Sequence, residues 1–278
     1  MSRFGIVGLG VMGGSFAARL KELGHEVIGF DLDQSAIDKG CAKGILDAGF
    51  TDPQGHLASL DALILCLYPT LLEGWISRWQ DELDPGTLIM EISGVKKPVV
   101  DSLQKILRPD VELVSIHPMC GRESRGIDFS SPRIFDQANF LIVPADHNTS
   151  ENIEKVRAMA QDLGCRSIST IGVEDHDRMI AFLSQLTHVI AVSLMNTHEN
   201  SHLVEYTGDS FRDLTRVARI NEDMWSELFL LNKEILLDEI DQFADALQYF
   251  RRVLDQEDSD TMKKLFVQAT QRRELFQK

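Results

Sequence analysis

Gly8-Leu9-Gly10-Val11-Met12-Gly13 sets three glycines at the G-x-G-x-x-G spacing, directly after the apolar run 3–8 and at the start of a helical pattern. In that context Gly8 permits a tight turn, Gly10 lets a pyrophosphate approach the main chain, and Gly13 lets helix and strand pack closely. The N–H groups at the helix start then face the phosphates. Asp31 ends the next apolar run, 18 residues after Gly13, where a carboxylate can accept hydrogen bonds from an adenosine ribose. Its charge repels a 2′-phosphate. The segment therefore predicts NAD in preference to NADP, held by Gly8, Leu9, Gly10, Val11, Met12, Gly13 and Asp31.

A second candidate is His117-Pro118-Met119-Cys120-Gly121-Arg122-Glu123, at the carboxyl end of the apolar run 111–116. Open α/β sheets bind ligands at that end, and a histidine there suits a general base near neutral pH. Position alone fits a histidine that merely ends a strand equally well. His198-Glu199-Asn200-Ser201-His202 matches H-E-x-x-H, but zinc hydrolysis needs both histidines on one face of a continuous helix plus a third ligand. Asn200-Ser201 reads as a helix end, so no metal is predicted. The polar stretch from Gly208 to Arg216 reads as a loop in which Arg216 is either a carboxylate fork or a surface charge.

The elements that must position these residues fall into two sets. Up to residue 172, short β-rich runs (3–8, 26–31, 62–67, 87–92, 111–116, 139–143 and 167–171) alternate with helical patterns, the signature of an α/β sheet covered on both faces. Helices over 11–23 and 34–43 end at Gly24 and Gly44, and another starts near Pro98. After Gly172 the β-rich runs stop. A helix over about 175–197 is apolar on most of its circumference, which demands burial on most sides. Residues 223–254 read as one long amphipathic helix, and a last helix begins near Asp258-Ser259-Asp260. The expected fold is α/β: a Rossmann-type dinucleotide-binding domain over 1–172, followed by an all-α domain over 173–278. So small a helical domain with so apolar a helix predicts a homodimer sharing its C-terminal helices.

Composition narrows the function further. The 278 residues carry 28 Lys+Arg against 43 Asp+Glu, a net charge of −15, which excludes a basic nucleic-acid-binding surface. At 44% hydrophobic and 26% charged the chain matches ordinary globular proteins. The four cysteines form no C-x-x-C pair and suit a reducing cytoplasm. Glycines interrupt the N-terminal apolar run 4–18, so it is not read as a signal peptide, and no other unbroken apolar run nears the roughly 18 residues of a membrane span.

Taken in order, these segments resemble the prephenate/arogenate dehydrogenase family. That family shows G-x-G-x-x-G, then D-x-x-S-V-K, H-P-M-x-G-x-E, H-D before a helix bearing S-H-L-P-H, and G-F-R-D-x-T-R. The counterparts here are Glu91-Ile92-Ser93-Gly94-Val95-Lys96, His117 to Glu123, His176-Asp177, Ser184-Gln185-Leu186-Thr187-His188, and Phe211 to Arg216. The resemblance implies oxidation of a cyclohexadienyl acid at its ring alcohol with loss of carbon dioxide. His117 would be the general base and Arg216 the partner of a substrate carboxylate, with His188 lining the site and Glu123 either gating it or lying on the surface. Family members hold the base with a serine; here that position is Gly94, and Ser93 is the candidate one place earlier. Gln185, Thr187 and Gly208-Asp209-Ser210-Phe211 look like the plant arogenate dehydrogenases, which places Gln185 among the expected substrate contacts. A carboxylate at Asp209 suits the ammonium of arogenate better than the keto group of prephenate. Alternatives are a dehydrogenase of another acid, of the β-hydroxyacid or aminodeoxyprephenate type, or an NAD-sensing protein without turnover.

Overall fold

A computed structural model describes residues 1–122, 124–199 and 201–276. Among these, β1 (Arg3–Val7), β2 (Glu26–Phe30), β3 (Ala48–Phe50), β4 (Ala62–Leu65), β5 (Leu88–Glu91), β6 (Glu112–Pro118), β7 (Asn139–Val143) and β8 (Ser167–Thr170) form one sheet in the order β3-β2-β1-β4-β5-β6-β7-β8. The first six run parallel; β7 turns antiparallel to β6, and β8 follows β7. The order reverses between β1 and β4, the switch point where doubly wound sheets take their ligands.

Alternation along each strand explains the unbroken apolar runs. Ile6, Ile64, Met90 and Val114 meet Phe16 and Leu20 of α1 (Val11–Glu22), Ile37 of α2 (Gln34–Ala42) and residues of a helix on the same side introduced below. Val7, Leu63, Leu65, Ile89 and Leu113 face the other way. They pack on Leu72 and Ile76 of α3 (Pro69–Trp79) and on Val99 and Leu103 of α4 (Lys97–Ile106). Val156 of α5 (Ser150–Asp162) completes the first face. A sheet buried on both sides selects apolar residues at every position rather than every second one.

The sequence reading missed β3, a three-residue edge strand with a central glycine. It also ended the strand before His117 too early. β6 continues through Pro118, so His117 lies inside the strand, opposite Leu141 of β7.

Beyond β8 the expected helix is one run, Val173–Met195, made of α6 (Val173–Ile180), a π turn (Ala181–Gln185) and α7 (Leu186–Met195). Measured as a helix rather than as an unbroken apolar string, its 23 residues contain an 18-residue window of mean hydropathy 1.4, long and apolar enough to cross a membrane by length and composition alone. Burial on most sides is not met within one chain: Phe182 is 54% exposed, Leu183 43% and Met195 46%. The presumed loop after Gly208 is instead α8 (Asp209–Thr215), followed by a tight turn, Arg216–Ala218.

The predicted long helix over 223–254 is two helices. α9 (Glu222–Leu231) stops at Asn232, whose φ of −113° and ψ of 23° leave the helical region. Its buried amide donates to the Asp177 carbonyl at 3.0 Å and to Gln185 Oε1 at 2.8 Å, bonds that outcompete helix continuation. Contacts divide the chain at this residue into the units Met1–Asn232 and Lys233–Lys278. The second unit holds α10 (Lys233–Asp255) and α11 (Ser259–Glu274), joined where Glu257 takes a φ of 53° and Asp258 caps α11 through Thr261 N–H. Phe250 and Phe266 pack with ring centres 6.2 Å apart.

Candidate active site

Because β2, β1, β4, β5 and β6 are adjacent and parallel, their carboxyl ends share one edge. Strand spacing puts the end of β2 roughly 19 Å from the end of β6, a span suited to a dinucleotide lying across the strand ends. Gly8 leaves β1 with a φ of +87°, in the left-handed region that a side chain disfavours. A Cβ on Gly13 would lie 1.8 Å from the Gly8 carbonyl oxygen, whereas one on Gly10 would meet nothing within 4 Å. The first spacing is helix-on-strand contact; the second is room for a pyrophosphate above the α1 N-terminus. Asp31 follows β2, its carboxylate accepting from Leu9 N–H at 2.6 Å and Asp33 N–H at 2.9 Å. Those bonds tie the acidic group to the glycine turn. The residues fit a dinucleotide with an unphosphorylated ribose.

At the other end of this edge, His117 Nδ1 lies 2.9 Å from His176 Nε2, and His176 Nδ1 lies 2.8 Å from Asp177 Oδ1. His176 and Asp177 are fully buried on α6, while His117 is half-buried. Asp177 also accepts from the main-chain N–H groups of Lys96 at 2.7 Å and Lys97 at 2.8 Å. It thereby caps α4, whose own first residues supply no side-chain cap. Burial, then the nearby Lys96 ammonium and His176, hold His117 well below the usual histidine range. Burial likewise lowers His176 against the opposing pull of its bond to Asp177. Both rings are neutral at neutral pH.

Lys96 anchors this end. Its ammonium, with no exposed surface, donates to Glu91 Oε1 at 2.7 Å and to the Ile116 carbonyl at 2.7 Å, next to His117. Burial lowers its pKa and Glu91 opposes that shift. Ser93, the expected partner of His117, does not serve as one: its hydroxyl is bonded to Glu91 Oε2 and the Val95 carbonyl. Adjacent residues of this segment face different ways, and the ring of His117 meets His176 instead. Gly94 is packed over by Leu228, whose Cδ1 would lie 3.1 Å from a Cβ there.

The remaining site candidates sit on the helical run and α8. His188, on α7, has Nδ1 2.9 Å from the Ser184 carbonyl and stacks on Trp225 of α9 with ring centres 3.7 Å apart. The turn that opens with Arg216 packs on α7, which brings it to the helix bearing His188. Gln185, expected to touch substrate, is buried and bonded to the Leu228 carbonyl at 3.1 Å and to Asn232 at 2.8 Å; it ties α9 to the π turn. The Asp209 side chain is 92% exposed and pairs with Arg212 at 3.1 Å. Glu123 lies outside the described residues, as does Asn200 of the H-E-x-x-H segment. His198 and His202 lie on opposite sides of that gap, beyond the end of α7 at Met195.

Residues 16–169 match the sequence profile of the prephenate dehydrogenase nucleotide-binding domain, and residues 172–268 that of the prephenate dehydrogenase dimerization domain. The chain belongs to the prephenate dehydrogenase family. Among curated relatives of this family, the prephenate dehydrogenase of Bacillus subtilis is 24% identical over 275 residues, covering 95% of this chain and 73% of that protein. The cyclohexadienyl dehydrogenase of Zymomonas mobilis is 27% identical over 276 residues, covering 96% and 94%. A crystal structure of prephenate dehydrogenase from A. aeolicus, in complex with hydroxyphenyl propionate and NAD+, superposes with a TM-score of 0.90 at 26% identity, covering 99% of this chain and 98% of that one. Synechocystis arogenate dehydrogenase shares the fold, with a TM-score of 0.83 at 21% identity over 99% of both chains.

Sequence reasoning assigned no role to His176, Asp177, Lys96 or Asn232. A signal was present for the first pair: a histidine and an aspartate adjoining an apolar helix are costly to bury unless they bond to something. Asn232 had only its interruption of an otherwise regular amphipathic pattern.

Proposed function

We propose that this chain oxidatively decarboxylates arogenate or prephenate with hydride transfer to NAD, giving tyrosine or 4-hydroxyphenylpyruvate. The observation that carries the reading is His117: a neutral imidazole, gripped at Nδ1, on the same sheet edge as the glycine turn. Bound along that edge, the nicotinamide supplies the hydride acceptor. His117 takes the proton of the ring hydroxyl as hydride leaves the same carbon. The ring carboxylate departs as carbon dioxide, and its bonding pair moves through the ring onto the former hydroxyl oxygen. His117 returns its proton to that oxygen, so the overall reaction releases no net proton. Arg216 holds a substrate carboxylate through its guanidinium fork, and His188, set by Ser184 and Trp225, lines the ring.

Arogenate is the preferred substrate in this reading. The carboxylate of Asp209 is solvent-facing, and a surface pair such as that with Arg212 is weak enough to yield to a substrate ammonium. Domain roles follow residues 1–172 for the dinucleotide and 173–278 for substrate and dimerisation. The exposed apolar face of Val173–Met195 is the proposed homodimer contact. All four thiols are unpaired, which suits a reducing cytoplasm. Formation of reduced dinucleotide, followed by absorbance with prephenate and arogenate in parallel, tests reaction, cofactor and preference together. Faster turnover of arogenate is expected, with Asp209→Asn moving preference toward prephenate; faster turnover of prephenate by the unaltered enzyme rejects the arogenate assignment.

A further inference from the structure

The three side chains His117, His176 and Asp177 form a directional chain whose proton positions follow from its far end. Asp177 receives main-chain N–H groups on both oxygens, from Lys96 on Oδ1 and Lys97 on Oδ2. It is therefore an acceptor toward His176, and the proton in that bond sits on His176 Nδ1. A neutral His176 then has its lone pair on Nε2, which accepts from His117 Nδ1–H. One tautomer of His117 remains, with Nε2 unprotonated. Position 94 offers no hydroxyl, being glycine under Leu228, and the Ser93 hydroxyl is taken by Glu91 and Val95.

We propose that His176 and Asp177, seated on the amides that open α4, are positioning residues that lock His117 in its Nδ1–H tautomer and so make Nε2 the proton acceptor. This rests on the assignment of His117 as base. When Nε2 takes the substrate proton, the Nδ1–H bond to His176 becomes charge-assisted, and Asp177 supports it through its own bond to His176. No second proton needs to move. A serine hydroxyl, which both donates and accepts, would hold the ring without choosing its tautomer.

Nitrogen-15 NMR of the histidine rings in the resting enzyme reads the tautomer without reference to turnover. His117 protonated on Nδ1 and bare on Nε2 is expected; the opposite pattern overturns the proposal. Asp177→Leu removes the far-end acceptor, which should release both rings from the single tautomer and lower kcat by about 100-fold or more. The Kd for NAD should stay within about twofold, since neither ring touches the glycine turn. Retention of kcat within about threefold would overturn the proposal. Should that variant fail to fold, His176→Phe removes the acceptor, whereas His176→Gln keeps one in its side-chain oxygen. The glutamine variant is expected to recover at least about tenfold of the kcat lost in the phenylalanine variant, and equal loss in both rejects tautomer control. If instead His117→Ala leaves turnover intact, the base assignment itself fails, whatever the NMR pattern.

Discussion

At the nucleotide end of the sheet edge, from Gly8 to Gly13, recognition depends on side chains that are missing. At the reaction end, it depends on polar groups bonded to one another: Glu91 with Lys96 and Ser93, and His117 with His176 and Asp177. The first end is main chain made accessible, and its tolerance is steric: Gly10 has open space above it, while Gly13 has 1.8 Å to the Gly8 oxygen. The second end consists of a fully buried ion pair, a buried imidazole and the half-buried His117 bonded to it, and its tolerance is electrostatic. Changes of shape should therefore dominate at one end and changes of charge or protonation at the other.

The sharpest way to break that contrast is to remove one charge without changing the outline. Lys96→Met leaves Glu91 buried and unpaired, which should cost about 3–5 kcal/mol in urea unfolding, whereas Lys96→Met with Glu91→Leu should regain most of it. An equal loss in the double variant would mean that packing, not charge, governs the reaction end. Next in size, Gly13→Ala should raise the NAD Kd by at least about tenfold, since the new methyl displaces α1 from the turn that presents its amides to the pyrophosphate; unchanged affinity would contradict the steric account. The smallest effect concerns the thiols. Burial raises the Cys66 thiol, and raises Cys120 to about 12 and Cys165 to about 11. An alkylating reagent at mildly basic pH should therefore modify the exposed Cys41 first, with little loss of turnover; prior modification of Cys120 would show that the loop after β6 opens readily.

The same division explains what could be read from the amino-acid order. The glycine turn and Asp31 form a local pattern, each residue fixed by its neighbours on one β-α-β unit, and the structure keeps them together. The strand runs were legible because two-sided burial writes itself as continuous apolar sequence; β3, short and at an edge, leaves no such trace. His117 was visible as the end of a strand, but its partner was not. Ser93 is near in sequence and faces Glu91, while His176 is far in sequence and reaches the ring because Asp177 caps α4. Asn232 shows the limit from the other side. Periodicity predicts one helix over 223–254, and a single buried amide with two tertiary acceptors divides it.

The account stands on His117 as the group that takes the substrate proton, and kcat of His117→Ala measured across pH beside the unaltered enzyme tests it most directly. The base must be unprotonated to act, and its pKa is held below the usual 6.5, so activity of the unaltered enzyme should be flat above that value and fall only at lower pH. His117→Ala should lose about 100- to 10,000-fold in kcat together with the acid fall-off, at an unchanged NAD Kd. A variant that keeps both its rate and the same acid limb would contradict the account.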